Sequence, residues 1–247
     1  MSHHQQDARN QALKAVAGGL ALLAMPYAAA VAATWYRYGR TRAPTRRTGS
    51  PDGSLIDRFM PTYEVAERHE IQVDAPVECT FAAARGMDVN RSPLVRAVFA
   101  VRTLPSRLRG TPARQSSAPL LDETLALGWR VLAETPDREV VVGAVTQPWR
   151  AEVTFRGVDP DAFADFAEPG YAKIVWTLEA LPLGPASSRF RTQTRVSTTD
   201  PRARALFRRY WAALSPGIRL IRRESLKLVK SDAERRFQAP TAEPAIR

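Results

Sequence analysis

Residues 63–84 read YEVAERHEIQVDAPVECTFAAA, and the change of period inside this stretch decides the fold. Tyr63, Val65, Glu67, His69, Ile71 and Val73 alternate with Glu64, Ala66, Arg68, Glu70 and Gln72, the two-residue period of a strand with one covered face. At Asp74-Ala75-Pro76 the alternation stops. Asp74 or Ala75 stands near a helix cap and Pro76 in the first turn, where its missing N–H costs nothing. Val77, Phe81 and Ala84 then recur at helical spacing to about Ala84. A second short helix is predicted over 92–101, after the Asn90-Arg91-Ser92-Pro93 break.

Downstream, 103–121 is rich in Pro, Gly and Ser and reads as irregular. Beyond it the period is two again. Leu125, Leu127, Trp129, Val131 and Ala133 share a face, and Glu134-Thr135-Pro136-Asp137 turns the chain into a Val-rich strand over 138–147. After Pro148, Trp149, Ala151, Val153 and Phe155 alternate with Arg150, Glu152, Thr154 and Arg156, the pattern of a half-buried strand. Ile174, Trp176 and Leu178 mark another. Phe190, Thr192, Thr194, Val196 and Thr198 form the inner face of the last, for five or six antiparallel strands in all. Asp200 and Pro201 then open a long helix as cap and first residue. Its apolar stripe is Phe207, Trp211, Leu214, Ile218, Ile221, Ser225 and Leu228. Pro216-Gly217 inside it predicts a kink or two consecutive helices. Its other faces carry Arg202, Arg204, Arg208, Arg209, Arg219, Arg222, Arg223, Lys227 and Lys230 against Glu224.

Upstream lies an uncharged run, AVAGGLALLAMPYAAAVAATWY (15–36). At ~1.5 Å rise per residue it is long enough for the ~30 Å hydrocarbon core of a bilayer. Arg37, Arg40, Arg42, Arg46 and Arg47 follow with no acid among them. The positive-inside bias therefore puts the stub 1–14 outside and the rest of the chain in the cytoplasm, a single-pass protein of the inner membrane. Tyr27, Trp35, Tyr36 and Tyr38 suit the membrane interface. Two rivals stand beside this anchor. One is a cleaved signal peptide with Ala30-Val31-Ala32 at the cut, which the arginine cluster opposes; the other is a buried soluble helix. Residues 37–54 read as a basic flexible linker whose arginines can lie on anionic lipid. The folded domain is placed at 55–237 and a disordered tail at 238–247.

The net charge of +11 is uneven: +6 of it falls within 55–237, where lysine is nearly absent and arginine carries the positive charge. Cys79 is the single cysteine, which forbids an intrachain disulfide, and His69 is the one histidine outside the first four residues. One Cys and one His in the domain leave no zinc, Rieske or haem-thiolate constellation, so neither metal nor cofactor is expected. Phosphate loops and dinucleotide fingerprints are absent, and so are the basic-aromatic motifs of nucleic-acid binding.

Strand, two short helices, a run of antiparallel strands and one long C-terminal helix is an order that resembles the START-like superfamily, also called SRPBCC. This superfamily includes lipid-transfer START domains, plant allergens and polyketide cyclases. The residues carrying the likeness are IQVDAPVECTFAAA (71–84) and SPGIRLIRRESLKLVKSDAE (215–234). The resemblance implies an α+β helix-grip fold, a curved antiparallel sheet wrapped around the last helix. It also implies a gap between them for an apolar ligand. The transmembrane helix would be an addition to that plan.

Within this frame Glu67 and His69 are the one polar pair on an apolar strand face. Two uses fit them: acid–base catalysis in a cavity, or a structural ion pair at a strand edge. Trp129, Trp149, Trp176 and Trp211 fall on inward stripes with Phe190, Thr192 and Thr194. They line an apolar pocket or simply fill the core. Three functions remain open: a membrane-tethered binder of an apolar small molecule or lipid, a cyclase or aromatase in which Glu67 or His69 moves a proton, and a ligand-free interaction module at the membrane.

Overall fold

The computed structural model describes residues 25–36, 45–46, 54–96 and 118–238, with 45–46 as backbone only. The elements are β1 (Thr45–Arg46), α1 (Ile56–Phe59), β2 (Thr62–Tyr63), β3 (Val65–Val73), α2 (Val77–Arg85), α3 (Leu120–Ala126), β4 (Arg130–Thr135), β5 (Glu139–Thr146), β6 (Phe155–Arg156), α4 (Pro160–Phe163), β7 (Ala172–Gly184), β8 (Ser187–Thr198) and α5 (Pro201–Gln238). The main sheet is antiparallel in the order β3-β8-β7-β5-β4, with β6 also on β5. First strand pairs with last, so β3 is the edge that meets α5. An antiparallel sheet with one long C-terminal helix against it makes this an α+β, helix-grip-like fold.

The alternation of β3 survives intact. Val65, Glu67, His69, Ile71 and Val73 lie opposite Val196, Thr194, Thr192, Phe190 and Ser188, and all ten sit on the face turned to α5. Two apolar clusters form on that inner side. One gathers Val73, Phe81, Val140, Val142, Leu178, Phe190, Leu226 and Val229; the other gathers Val65, Ala172, Val196, Phe207 and Trp211. Thr80 of α2 is fastened to β8, its Oγ1 2.7 Å from Ser188 Oγ, which in turn donates to the Ala75 carbonyl at 2.8 Å.

The outer face is covered too. Ile56 and Phe59 of α1 and Phe163 of α4 close over Val141, Val145 and Val175. Beneath α1 lies a row of buried charges. Arg191 grips Glu179 through Nε (2.7 Å) and Nη2 (3.0 Å), and Arg195 meets Asp57 at 2.6 Å and the Met60 carbonyl at 2.8 Å. Glu139, next to Glu179 on the neighbouring strand, accepts from Ser54 Oγ at 3.0 Å. Burial first, then the Glu179 charge, push its carboxyl above the usual range.

Several expectations from the sequence are corrected. Residues 120–126 form a helix rather than the start of a strand. Pro119 stands at its cap, Asp122 and Glu123 occupy its first turn, and Thr124 Oγ1 bonds the Leu120 carbonyl at 2.7 Å. The alternation of Leu125 with Trp129 also satisfies a helical step of four, which hid this. Gly128, at φ 99°, ends the turn, and Leu127 is left 62% exposed. Of the strand expected over 149–156, only Phe155–Arg156 pairs. Arg150 N bonds Gln147 O at 3.0 Å around Pro148, and Trp149 swings into the second apolar cluster. At α2 the cap position is Pro76 itself; Asp74 instead faces Lys230 at 3.5 Å. The second short helix is described only over 93–96.

Asp200 caps α5 as expected, accepting from Arg202 N at 2.8 Å and Ala203 N at 2.9 Å. The helix runs on through Pro216 as a single element, not two. Its buried stripe departs from the expected one. Past the proline it is Ser225, Leu226, Val229 and Ala233, while Leu214, Ile218, Ile221 and Leu228 stay half-buried.

Of the run expected to span a membrane, 15–24 lies outside the described residues, and so do Arg37, Arg40, Arg42 and Arg47. Residues 25–36 are helical and rest on α5. Tyr27 donates its hydroxyl to Ala213 O at 2.5 Å, in the turn before Pro216. Thr34 Oγ1 lies 3.3 Å from Ser215 Oγ, and Arg208 stands over the Trp35 ring at 5.3 Å. Among the described residues no helix is long and apolar enough to cross a membrane.

Candidate functional site

Between the two inner apolar clusters runs a belt of polar side chains. Glu67 and His69 enter it from β3, Thr192 and Thr194 from β8, and Arg219 and Arg222 from α5. Register explains the first four: Glu67 pairs with Thr194 and His69 with Thr192, so all point to one side. The arginines, three residues apart, share the helix face that looks down on them.

Arg219 holds Glu67 by a two-pronged contact, Nε at 3.1 Å and Nη2 at 2.7 Å from Oε1. Arg222 donates Nη1 to Thr192 Oγ1 at 3.4 Å and Nη2 to Thr194 Oγ1. Its Nε is enclosed and meets no acceptor. Burial pushes the Arg222 guanidinium down to about 10, opposed by the attraction of Glu67. His69 Nε2 lies 3.7 Å from Glu67 Oε2, too far for a hydrogen bond, and is also enclosed without an acceptor or donor. Burial first, and Arg222 second, hold the imidazole below its ordinary 6.5. It is therefore neutral at pH 7.

That shift has a sign that can be tested. The unfolded chain takes up a proton on His69 before the folded chain does, so stability is intact above 6.5 and declines as the pH falls below it. Urea midpoints are expected to drop between about pH 7 and about pH 5.5, and His69→Gln to remove part of that drop. A variant with the same decline as the parent would show that His69 is free to ionise in the fold.

Glu67 and His69 thus stand together as the alternation required, on the inner face, with Thr192 and Thr194 beside them. The tryptophans do not converge. Trp129 and Trp176 pack on the first cluster, Trp149 and Trp211 belong to the second, and the belt separates them. Trp129 packs at a tilt on Phe155 with ring centres 5.2 Å apart, and Phe190 is fully buried. The sequence pattern places Arg219 and Arg222 on the outer faces of the helix, whereas the structure turns both inward. The signal was present in the run 218–222, where two arginines interrupt an otherwise apolar stripe.

Both faces of the sheet have sealed side chains, Val141, Val145 and Val175 on the outer face and Val140, Val142 and Ala180 on the inner. On the inner side Ile71, Ile174 and Trp176 keep part of their surface free, and so do Ile218 and Ile221 of the helix above them. A surface groove of about 290 Å³ lies further along α5, lined by Lys227, Lys230, Ser231, Glu234, Arg235 and Gln238. It is ringed by charge and takes no part in the inner belt. Among the described residues no group of His, Cys, Asp and Glu could hold a metal ion.

No protein-family model matches this sequence, and no curated protein matches it. Among solved structures the chain is similar to the Zhui aromatase/cyclase from Streptomyces sp. R1128, at 14% identity over 71% of this chain and 96% of that one, with a TM-score of 0.29. It is similar to a START superfamily protein from Mycobacterium smegmatis at 13% identity, over 71% and 99%, with a TM-score of 0.25. Norcoclaurine synthase from Thalictrum flavum, in complex with dopamine and hydroxybenzaldehyde, is similar at 12% identity over 82% and 100%, with a TM-score of 0.28. Likeness this faint carries no ligand or chemistry across to this chain.

Proposed function

We propose that the protein binds an apolar small molecule or lipid between the sheet and α5, and that residues 15–36 tether it to a membrane. The observation that supports the first half is the partial exposure of apolar side chains on the inner face of the sheet and on the helix above it. A helix laid on a sheet normally makes their interface the driest part of a domain. Here Ile71, Ile174, Trp176, Ile218 and Ile221 are half-buried rather than sealed, around a polar belt that can orient a ligand. The tether rests on the uncharged run, on the arginines after it, and on the exposure of Met25 (74%), Trp35 (46%) and Tyr36 (66%). In this reading the domain lies on the cytoplasmic side.

A cyclase-type reaction is less well supported. Glu67 is already engaged by Arg219, which holds one of its carboxylate oxygens through two contacts. That leaves His69 as the base.

The full chain, purified in detergent from its own host and extracted with organic solvent, is expected to release an apolar molecule detected by mass spectrometry. Ile218→Trp, which fills the gap from the helix side, is expected to leave the fold and empty the extract. No bound molecule, together with no uptake from a panel of lipids, would overturn the binding reading in favour of an interaction module. Release of the full chain from membranes by carbonate would overturn the tether.

A further inference from the structure

Residues 25–36 form a helix that carries no charge on any side and meets α5 along a single stripe. Thr34 is buried, and Ala30 and Val31, one turn before it, are half-buried. Met25, Ala28, Ala29, Ala32, Ala33 and Tyr36 are exposed. The stripe is held at three points on one short stretch of α5. Tyr27 donates to the Ala213 carbonyl at 2.5 Å, Thr34 Oγ1 lies 3.3 Å from Ser215 Oγ, and Arg208 stands over the Trp35 ring at 5.3 Å. Pro216 comes next, and its missing N–H interrupts the helical hydrogen bonds of that turn.

The same segment is the cytoplasmic end of the run that is long enough to span a bilayer. The two placements exclude one another. In a spanning helix Tyr27 lies roughly 14 Å deeper than Tyr36, at ~1.5 Å rise per residue. Contact between Tyr27 and Ala213 would then draw this turn of α5 to the same depth. Arg208 and the exposed Arg209, one turn away, would follow it into the hydrocarbon, where charged side chains are costly. Away from lipid the preference reverses, because α5 then offers the only cover for Thr34, Ala30 and Val31 among the described residues. A contact along one stripe suits such an exchange, since a bilayer covers every side of an uncharged helix.

We infer that the face of α5 bearing Arg208, Ala213 and Ser215 is a berth for residues 25–36, filled when no bilayer is present and vacated when the segment inserts. This deepens the tether reading above and rests on it. Attachment is then a competition between a lipid bilayer and α5 for one helix.

The test uses the full chain carrying Cys79→Ser, Thr34→Cys and Ser215→Cys, in which two thiols replace the neighbouring hydroxyls with little change of size. The chain is made by cell-free synthesis with and without vesicles of phosphatidylcholine and phosphatidylglycerol, then oxidised with dipyridyl disulfide. Bridging is read as a shift on a non-reducing gel, and insertion as resistance to carbonate extraction. A bridge is expected to form readily without vesicles and at least about 10-fold more slowly in the carbonate-resistant chain. A bridge that forms equally fast in the carbonate-resistant chain would overturn the exchange and leave the tether standing. No bridge in the absence of vesicles would overturn the berth itself. Complete release of the unbridged chain by carbonate would overturn the tether, and the exchange with it.

Discussion

Glu179→Ala is expected to lower the stability of the fold by about 3–5 kcal/mol, the usual cost of breaking a buried ion pair by removing one partner. Arg191 and Glu179 are both almost wholly excluded from solvent, and the carboxylate accepts two charge-assisted bonds from the guanidinium. With Glu179 gone, Arg191 loses both of its charge-assisted bonds to that carboxylate on the sealed outer face. One relief is built in: Glu139 also sits beside Glu179, whose negative charge raises its proton affinity. Losing Glu179 therefore eases Glu139 while removing two bonds from Arg191, and the loss of those bonds outweighs the relief. The paired change Arg191→Met with Glu179→Leu is expected to fall near the parent, because both desolvated charges leave together. Urea denaturation of the three proteins measures this. Equal losses for Glu179→Ala and the double variant would mean that the pair contributes shape rather than charge.

Trp211→Ala is expected to cost about 3–5 kcal/mol through the lost burial and the cavity left behind. Trp211 is 4% exposed, stacks on Phe207 with ring centres 5.8 Å apart, and sits on α5 among Val65, Ala172 and Val196 of the sheet. It is thus a main fastening of the N-terminal half of that helix. Its indole Nε1 is buried and donates to no acceptor. Trp211→Phe should therefore behave differently, since it keeps most of the apolar body and removes an unpaired N–H. A loss well below that of the alanine variant is the expected outcome. If phenylalanine proved as costly as alanine, the indole nitrogen would have to be engaged in solution.

The strands and the capping of the long helix were readable because they depend on local pattern. The alternation over 65–73 recurs as β3 on one face of the sheet, and Asp200-Pro201 opens α5 as its residue types require. Reading failed where two periods coincide or where the partner is remote. Leu121, Leu125 and Trp129 fit a step of four as well as alternation, and the helix won once Pro119 and the acidic first turn were in place. The alternation of 149–155 is as regular as that of β3, yet most of it has no strand to pair with after the turn at Pro148.

The candidate site was half legible for the same reason. Glu67, His69, Thr192 and Thr194 lie on strands, where a period of two assigns each side chain a face, and pairing of first strand with last brings them together. Arg219 and Arg222 lie on a helix whose buried stripe changes composition around Pro216, and a charged residue there reads as solvent-facing until the sheet beneath it is known. Local propensity and hydrophobic period thus determined β3, β5, β7, β8 and α5, the order in which they follow, and which of their strand residues face inward. Tertiary packing alone decided that the four tryptophans separate into two clusters, that two arginines point into the fold, and that both act on the one carboxylate of Glu67. The physical reason is that period and propensity are properties of neighbours in the chain, whereas desolvation and pairing of a charge depend on groups more than a hundred residues away, as Arg219 is from Glu67.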